Sequence, residues 1–231
     1  MNTARTSTSD PAEINLDGVV LTALPSGALW WPSKRLLVVA DLHLGRAERI
    51  ARAGGTLLPP YETTETLDRL DAEIGQRNPR LVISLGDSFD DLAAARNLGE
   101  EIVTRLDRMA AGRRVIWIAG NHDPGPVNLP GTHLDHAVID GVHFRHIAEP
   151  GRGDAEVSAH YHPKAQVTVK NRRISRRCFL LSGRRVILPA FGTYTGGLDV
   201  RDAAFDWLTE ANARVLMTGK RIVGLPLSQL G

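Results

Sequence analysis

Three short runs of apolar residues punctuate the first half of the chain: Leu36-Leu37-Val38-Val39-Ala40, Leu81-Val82-Ile83-Ser84-Leu85 and Val115-Ile116-Trp117-Ile118-Ala119. Runs of this length without polar alternation predict strands buried on both faces. Between them the period lengthens. Leu67, Leu70 and Ile74 make one stripe over Glu62 to Ile74, after Pro59-Pro60; Leu98, Ile102, Leu106 and Met109 make another, ending near Gly112. Both stripes predict amphipathic helices. The order strand, helix, strand, helix, strand argues for parallel pairing in an α/β sheet. Upstream, Val19 to Leu24 and Ala28 to Trp31 predict a hairpin around Pro25-Ser26-Gly27, and neither Trp30 nor Trp31 is assigned more than packing.

The second half changes to hairpins. Ala137-Val138-Ile139 and Val142 to Arg145 flank Asp140-Gly141, a two-residue turn signal. Glu156 to Ala159 precedes His160-Tyr161-His162-Pro163, Gln166 to Lys170 alternates, and Cys178 to Leu181 with Val186 to Leu188 flank Ser182-Gly183. Arg201 to Glu210 reads as a late helix, and Arg214 to Thr218 with Arg221 to Gly224 as a closing hairpin. A second, more antiparallel sheet packed on the first follows from this pattern. At 231 residues the chain can bury one sizeable core, and no repeat or long linker divides it. The expectation is a flexible tail over residues 1–13 and a single domain over 14–231.

Composition changes the picture in three places. No run is long enough to cross a membrane, and residues 1–13 lack the apolar centre of a secretory signal. Cys178 is the only cysteine, which excludes an internal disulfide, points to a cytoplasmic location and reads as a packed strand residue. The net charge of +2 conceals an asymmetry: residues 1–156 hold 16 Lys/Arg against 22 Asp/Glu, whereas residues 157–198 hold 8 Lys/Arg and no acid.

Candidate chemistry gathers where strands end, the usual ligand-binding edge of an α/β sheet. Leu85 runs into Gly86-Asp87, Ala40 into Asp41-Leu42-His43, and Ala119 into Gly120-Asn121-His122-Asp123. His146 closes a strand, and His160 and His162 follow another. Asp41 and His43, two apart in extended chain, would point the same way and could grip one ion. An Asp after a strand can also be a plain helix N-cap, and each short motif is weak alone. Recurrence at one strand end after another favours metal. Carboxylate, imidazole and amide oxygen suit borderline divalent ions such as manganese, iron or zinc. The candidate ligands are too many for one such ion, and two ions need a common ligand, for which Asp87 is the obvious bridge. Two ions roughly 3.5–4 Å apart clamp a phosphate and activate a water.

The motifs DLH at 41–43, GDSFD at 86–90, GNHD at 120–123 and AHYHP at 159–163 resemble, in order and spacing, the calcineurin-like metallophosphoesterases. The resemblance implies a two-sheet αββα sandwich, an α/β (α+β) fold. It also implies two ion sites, one of Asp41, His43, Asp87 and His162 and one of Asp87, Asn121, His146 and His160, with manganese the first choice of metal. His143 is the alternative to His146, which is preferred because it continues the alternating face of Val142 and Phe144. His122 would face substrate as a catalytic residue, oriented by Asp123. Ala159 departs from the family, which usually has Gly there.

LWWPSKRLLVVADLHLGRAE at 29–48 and LPAFGTYTGGLDV at 188–200 are similar to small bacterial metallophosphoesterases associated with an ATP-dependent DNA ligase and helicase system. That group commonly has Lys where Arg46 stands. It is described as phosphodiesterases or nucleases of DNA repair. Gly192, Gly196 and Gly197 either allow tight turns only or shape a wall of the site, with Phe191 and Tyr194 free to stack on a base.

The basic run Lys164, Lys170, Arg172, Arg173, Arg176, Arg177, Arg184 and Arg185 is either a solvated hairpin face or a platform for a nucleic-acid backbone. The second reading is favoured, with Arg172, Arg173, Arg176, Arg177 and Tyr194 as contacts. His133 and His136 fall in a polar stretch and read as exposed. The functional expectation is a two-metal phosphodiesterase or nuclease. A phosphatase or pyrophosphohydrolase of a small nucleotide is the alternative, and a metal-dead scaffold a third reading that the intact ligand set opposes.

Overall fold

The three apolar runs form the middle of one sheet. The computed structural model describes residues 12–55, 61–125, 128–151 and 153–230. Within them β1 (Glu13–Leu16), β2 (Val19–Ala23), β3 (Leu29–Trp31), β4 (Leu36–Val39), β5 (Leu81–Leu85), β6 (Arg114–Ile118) and β7 (Thr132–Leu134) lie side by side in chain order. β4 to β7 pair in parallel, with helices in the β4–β5 and β5–β6 connections, and β1 to β3 extend the sheet as an antiparallel meander. The helices are α1 (Arg46–Arg52), α2 (Glu62–Arg77), α3 (Leu92–Arg96) and α4 (Glu100–Ala110). Pro59 and Pro60, expected ahead of α2, lie outside the described residues.

The second sheet contains β8 (His136–Ile139), β9 (Val142–Arg145), β10 (Ala155–Ser158), β11 (Lys164–Val169), β12 (Arg172–Ser182), β13 (Arg185–Ile187), β14 (Arg214–Met217) and β15 (Val223–Pro226). Its order is β15-β14-β12-β13-β10-β9-β8, with β11 paired to β12. The sheet is mixed. β10 runs parallel to both β9 and β13, and the other pairs are antiparallel.

Alternation along the central strands builds two cores at once. Leu36, Val38, Ile83, Leu85, Ile116 and Ile118 face Phe144, Val157, Phe179, Val186 and Leu216 between the sheets. Leu37, Val39, Val82, Val115 and Trp117 face the other way, onto Leu67, Leu70 and Ile74 of α2 and Leu106 and Met109 of α4. On the far side of the second sheet, Cys178, Leu180, Ile187, Val215 and Met217 lie under Phe205 and Leu208. The result is the expected two-sheet sandwich with helices outside.

Several expectations need correction. The late helix is a six-residue 3-10 helix, Ala203–Leu208, whose cap Asp202 accepts a hydrogen bond from Ala204 N–H at 2.9 Å. Glu13 opens β1 instead of ending a tail, while residues 1–11 lie outside the described residues. His133 and His136 lie in β7 and β8; His136 is exposed as expected, whereas His133 is half-buried with its ring stacked on Trp117 at 6.4 Å. Edge strands with one wet face carry polar residues, which hid these two. β12 starts at Arg172, six residues before Cys178, because its first half pairs with β11 alone. Cys178 is fully buried and burial pushes its thiol pKa up, so it packs as expected.

Phe179, 0% exposed between the sheets, tests this packing. Phe179→Ala should lose about 3–5 kcal/mol of stability. A urea midpoint that barely moves would show that the two sheets do not share this core.

A candidate two-metal centre at the strand ends

Every candidate ligand follows a strand directly or within four residues. Asp41 and His43 follow β4, Asp87 follows β5, Asn121 follows β6, His146 follows β9, and His160 and His162 follow β10. The backbone there is unusual. Asp41 (φ 50°), His43 (φ 47°), Asp87 (φ 44°), His160 (φ 71°) and His162 (φ 47°) are all left-handed. Asp41 and His43 therefore converge through a turn, not by the extended spacing expected. Such conformations cost about 1–3 kcal/mol each and persist only where surroundings enforce them. Here His43 N–H donates to Asp87 O at 2.9 Å, Leu44 N–H to Ser88 O at 3.0 Å and Ala159 N–H to His146 O at 2.9 Å. Glycine makes the approach feasible: a Cβ on Gly86 would lie 2.5 Å from the His146 ring, and one on Gly120 would lie 2.1 Å from Asp87 N.

The expected ligands gather in two groups, Asp41 with His43 and His162, and Asp87 with His146 and His160, and His43 also groups with Asp90 and His122, the donor atoms of each group lying within 4.8 Å of one another. Asp87 Oδ2 stands between them, 3.4 Å from His146 Nε2 and 3.9 Å from His43 Nε2. Asn121 Oδ1 is 2.9 Å from His146 Nε2, and His162 Nε2 is 3.4 Å from Asp41 Oδ1. Asp41 Oδ1, His43 Nε2 and His162 Nε2 are buried without a hydrogen-bond partner. Orphaned buried acceptors are costly and uncommon. Three aimed at one place fit a borderline divalent ion.

Burial alone would raise the Asp87 carboxyl, but His146, the His122 N–H and His43 overcome it and hold the pKa at about 2. Asp87 is thus a carboxylate at any working pH, as a bridging ligand must be. Burial would lower the His146 pKa, yet Asp87 and Asp41 raise it; His160 is lowered, first by burial and then by His146.

A supporting shell orients the ligand rings. His43 Nδ1 lies 2.8 Å from Asp90 Oδ1, a close charge contact outside hydrogen-bond geometry, with Nε2 on the side of Asp87. His146 Nδ1 donates to Leu85 O at 2.9 Å, with its Nε2 also on the side of Asp87. Asp90 is fully buried and also binds Arg46 (3.0 Å) and Arg49. Sequence reading quoted Asp90 only as part of a motif and passed over Arg49, because their pairing spans β5 and α1.

The geometry corrects the role expected for Asp123. Its carboxylate accepts from Ser88 N–H (2.8 Å), Phe89 N–H (3.1 Å) and Gly120 N–H (3.2 Å), tying two loops together. Burial raises its pKa to about 6. His122 is held instead by the Asp90 carbonyl, 3.0 Å from Nδ1. His143 lies on Arg145 (3.2 Å) and outside both groups, so His146 is the histidine brought to the centre.

The loop after β13 braces the ligands' backbone. Phe191 N–H donates to Ala40 O (2.8 Å) and Gly192 N–H to Asp41 O (3.0 Å). A Cβ would meet Leu42 O at 2.2 Å from Gly192 and His162 O at 2.3 Å from Gly197, while Gly196 faces open space. Phe191 is fully buried under Arg69, 4.4 Å from its ring centroid, and is not free to stack on a base. Tyr194 is exposed and left-handed (φ 57°). Arg177 departs from its neighbours: it donates to Phe191 O (3.3 Å), Gly192 O (2.6 Å) and Thr195 Oγ1 (3.1 Å). Burial, then the nearby Arg69 charge, lowers its pKa to about 10. Arg172, Arg173 and Arg176 are exposed.

Comparison with known proteins adds a family and a neighbour. The family model for calcineurin-like phosphoesterases matches residues 34–213. The crystal structure of Pseudomonas putida nuclease MPE is 26% identical, with a TM-score of 0.71 over 92% of this chain and 98% of that one. Yfce, a phosphoesterase from E. coli, is 12% identical with a TM-score of 0.38, over 83% of this chain and 98% of that one. No curated protein matches.

Asp87→Asn should fold normally yet bind less metal, since an amide cannot replace a bridging carboxylate. Elemental analysis showing two ions per folded chain would remove the bridge. Asp90→Asn should weaken metal affinity by about 10–100-fold through His43, a loss read by metal titration.

Proposed function

The chain belongs to the calcineurin-like phosphoesterases, metal-dependent hydrolases, and we propose that it is a two-metal phosphodiesterase acting on nucleic acid. One observation carries the choice of substrate. The β11–β12 hairpin, which starts two residues after His162, presents Arg172, Arg173 and Arg176 to solvent with no acid among residues 157–198. Guanidinium groups in such an array suit a phosphate backbone. The likeness to a nuclease supports the same reading. Manganese is the metal proposed, since mixed imidazole and carboxylate donors accept it, with iron or zinc as alternatives. A DNA-repair setting beside an ATP-dependent DNA ligase rests only on the resemblance of residues 29–48 and 188–200.

Bound divalent ions would supply positive charge against the phosphoryl oxygens and lower the pKa of a water. The chain's own contribution is positioning. Asp87 would bridge from its fixed carboxylate, and His122 N–H donates to its Oδ1 at 2.9 Å, coupling the substrate-side loop to the bridge. His122 Nδ1–H donates to the Asp90 carbonyl, so only the doubly protonated ring would have an Nε2 proton to give to the leaving oxygen. His122→Ala should lower turnover by about a hundredfold to ten-thousandfold, less for substrates with good leaving groups. An equal loss for all leaving groups, with lost metal, would make His122 a ligand.

Replacing Arg172, Arg173 and Arg176 with Gln tests the substrate class. Each lost phosphate contact should reduce the slope of log affinity against log salt by about 0.7–0.9. Cleavage of oligonucleotide should fall relative to that of a small chromogenic diester. Wild-type protein that binds nucleic acid without salt dependence would overturn the reading in favour of a small-nucleotide phosphatase.

A further inference from the structure

Trp207 is 46% exposed, while Phe205 and Leu208 in the same 3-10 helix are 1% and 2% exposed. Single exposed apolar side chains are ordinary on protein surfaces. The placement of this one is not. Its ring meets Tyr161 at 6.5 Å and 69°, and Tyr161 meets the candidate ligand His160 at 5.1 Å and 83°. Tyr161 is fixed in turn by Phe205 at 5.5 Å. A chain of edge-to-face aromatic contacts thus runs outward from His160 and ends in a half-open indole.

A second route leads to the same place. The Arg185 guanidinium lies 5.5 Å over the Trp207 ring. It donates to Glu156 Oε1 at 2.8 Å and to Glu149 O at 2.9 Å. Glu149 lines a cleft of about 370 Å³ with Asn121 and His146. Both routes link Trp207, through intervening residues, to the group of Asp87, His146 and His160. Arg185 is committed to Glu156, so its part here is to hold the indole, not to bind phosphate.

We propose that Trp207 is a stacking shelf for an unpaired base of a nucleic-acid substrate whose scissile phosphate lies at the metal centre. The proposal rests on the nucleic-acid reading above and narrows it to single strands or frayed ends. Stacking on an indole needs a free base face, which every base offers once unstacked, and it tolerates any sequence. A duplex keeps its faces covered by neighbouring bases, and a small chromogenic diester with its phosphorus at the ions has no second base to send to the rim. The ring is pre-set by Tyr161 and Arg185, so little side-chain freedom is lost on binding.

The test compares wild type, Trp207→Ala and Trp207→Phe as metal-loaded enzymes. Substrates are a short single-stranded oligonucleotide, its blunt duplex and bis(p-nitrophenyl) phosphate. For Trp207→Ala, kcat/KM on the single strand divided by that on the small diester should fall about 5- to 100-fold, mostly through KM. Trp207→Phe should recover most of it, because a phenyl ring also stacks. An unchanged ratio in Trp207→Ala, or an equal fall on the duplex, overturns the shelf alone. Wild type that hydrolyses the small diester and no oligonucleotide overturns the nucleic-acid reading and the shelf with it.

Discussion

The site depends on keeping bare acceptors close together in a dry place. Asp41, His43 and His162 converge with unpartnered buried atoms, and Asp87 stands between them and His146. Without a cation such an arrangement repels itself and lacks hydrogen bonds, so a rigid frame must impose it. The frame is the pair of sheets. β4 and β5 are buried along almost their whole length, and the left-handed turns at Asp41, His43 and Asp87 come directly after them. A well-packed core resists relaxation of those turns, which a marginal one would permit.

Around the acceptors lies a layer of groups that orient the ligand rings. Asp90 lies against His43 Nδ1 and the Leu85 carbonyl takes the Nδ1 proton of His146, and both Nε2 atoms lie on the side of Asp87. Asp123 takes main-chain N–H groups from two loops, so its charge is spent on shape. Asp87 and Asp90 are held as carboxylates by histidine and arginine, whereas Asp123 is raised by burial and by Asp87 against the main-chain donors that lower it. Neighbouring acids therefore differ in role because of their partners, not their type.

The strands of the central parallel sheet and the identity of the candidate ligands were legible in the sequence, because continuous apolar runs ending in Asp, Asn or His are a strong local pattern. The first turn of α2 and the stripe Leu67, Leu70, Ile74 were equally plain. What escaped was tertiary or weakly patterned. β1 and β7 are short edge strands with polar faces. Asp90 with Arg49, Asp123 with Ser88, and Trp207 with Tyr161 are pairs distant in sequence, and no period marks them. Phe191 looked available beside Tyr194, but the Gly192 approach to Leu42 pulls it into the core.

The basic run shows how a charge count differs from a charged surface. Arg177 is consumed by the loop that braces Asp41, Arg185 by Glu156, and Arg184 pairs with Asp17. Two of the eight cations are therefore structural, including one expected at the nucleic-acid face, and the exposed Arg184 is paired. Arg172, Arg173 and Arg176 remain exposed on β12, Arg172 and Arg176 on one face of the strand and Arg173 on the other. A phosphate backbone reaching this hairpin would meet a few guanidinium groups and not a diffuse field of eight. Affinity from so few contacts is modest. A backbone held that lightly needs a second anchor to settle into register, and an open indole that meets Tyr161, itself against His160, is placed to be one.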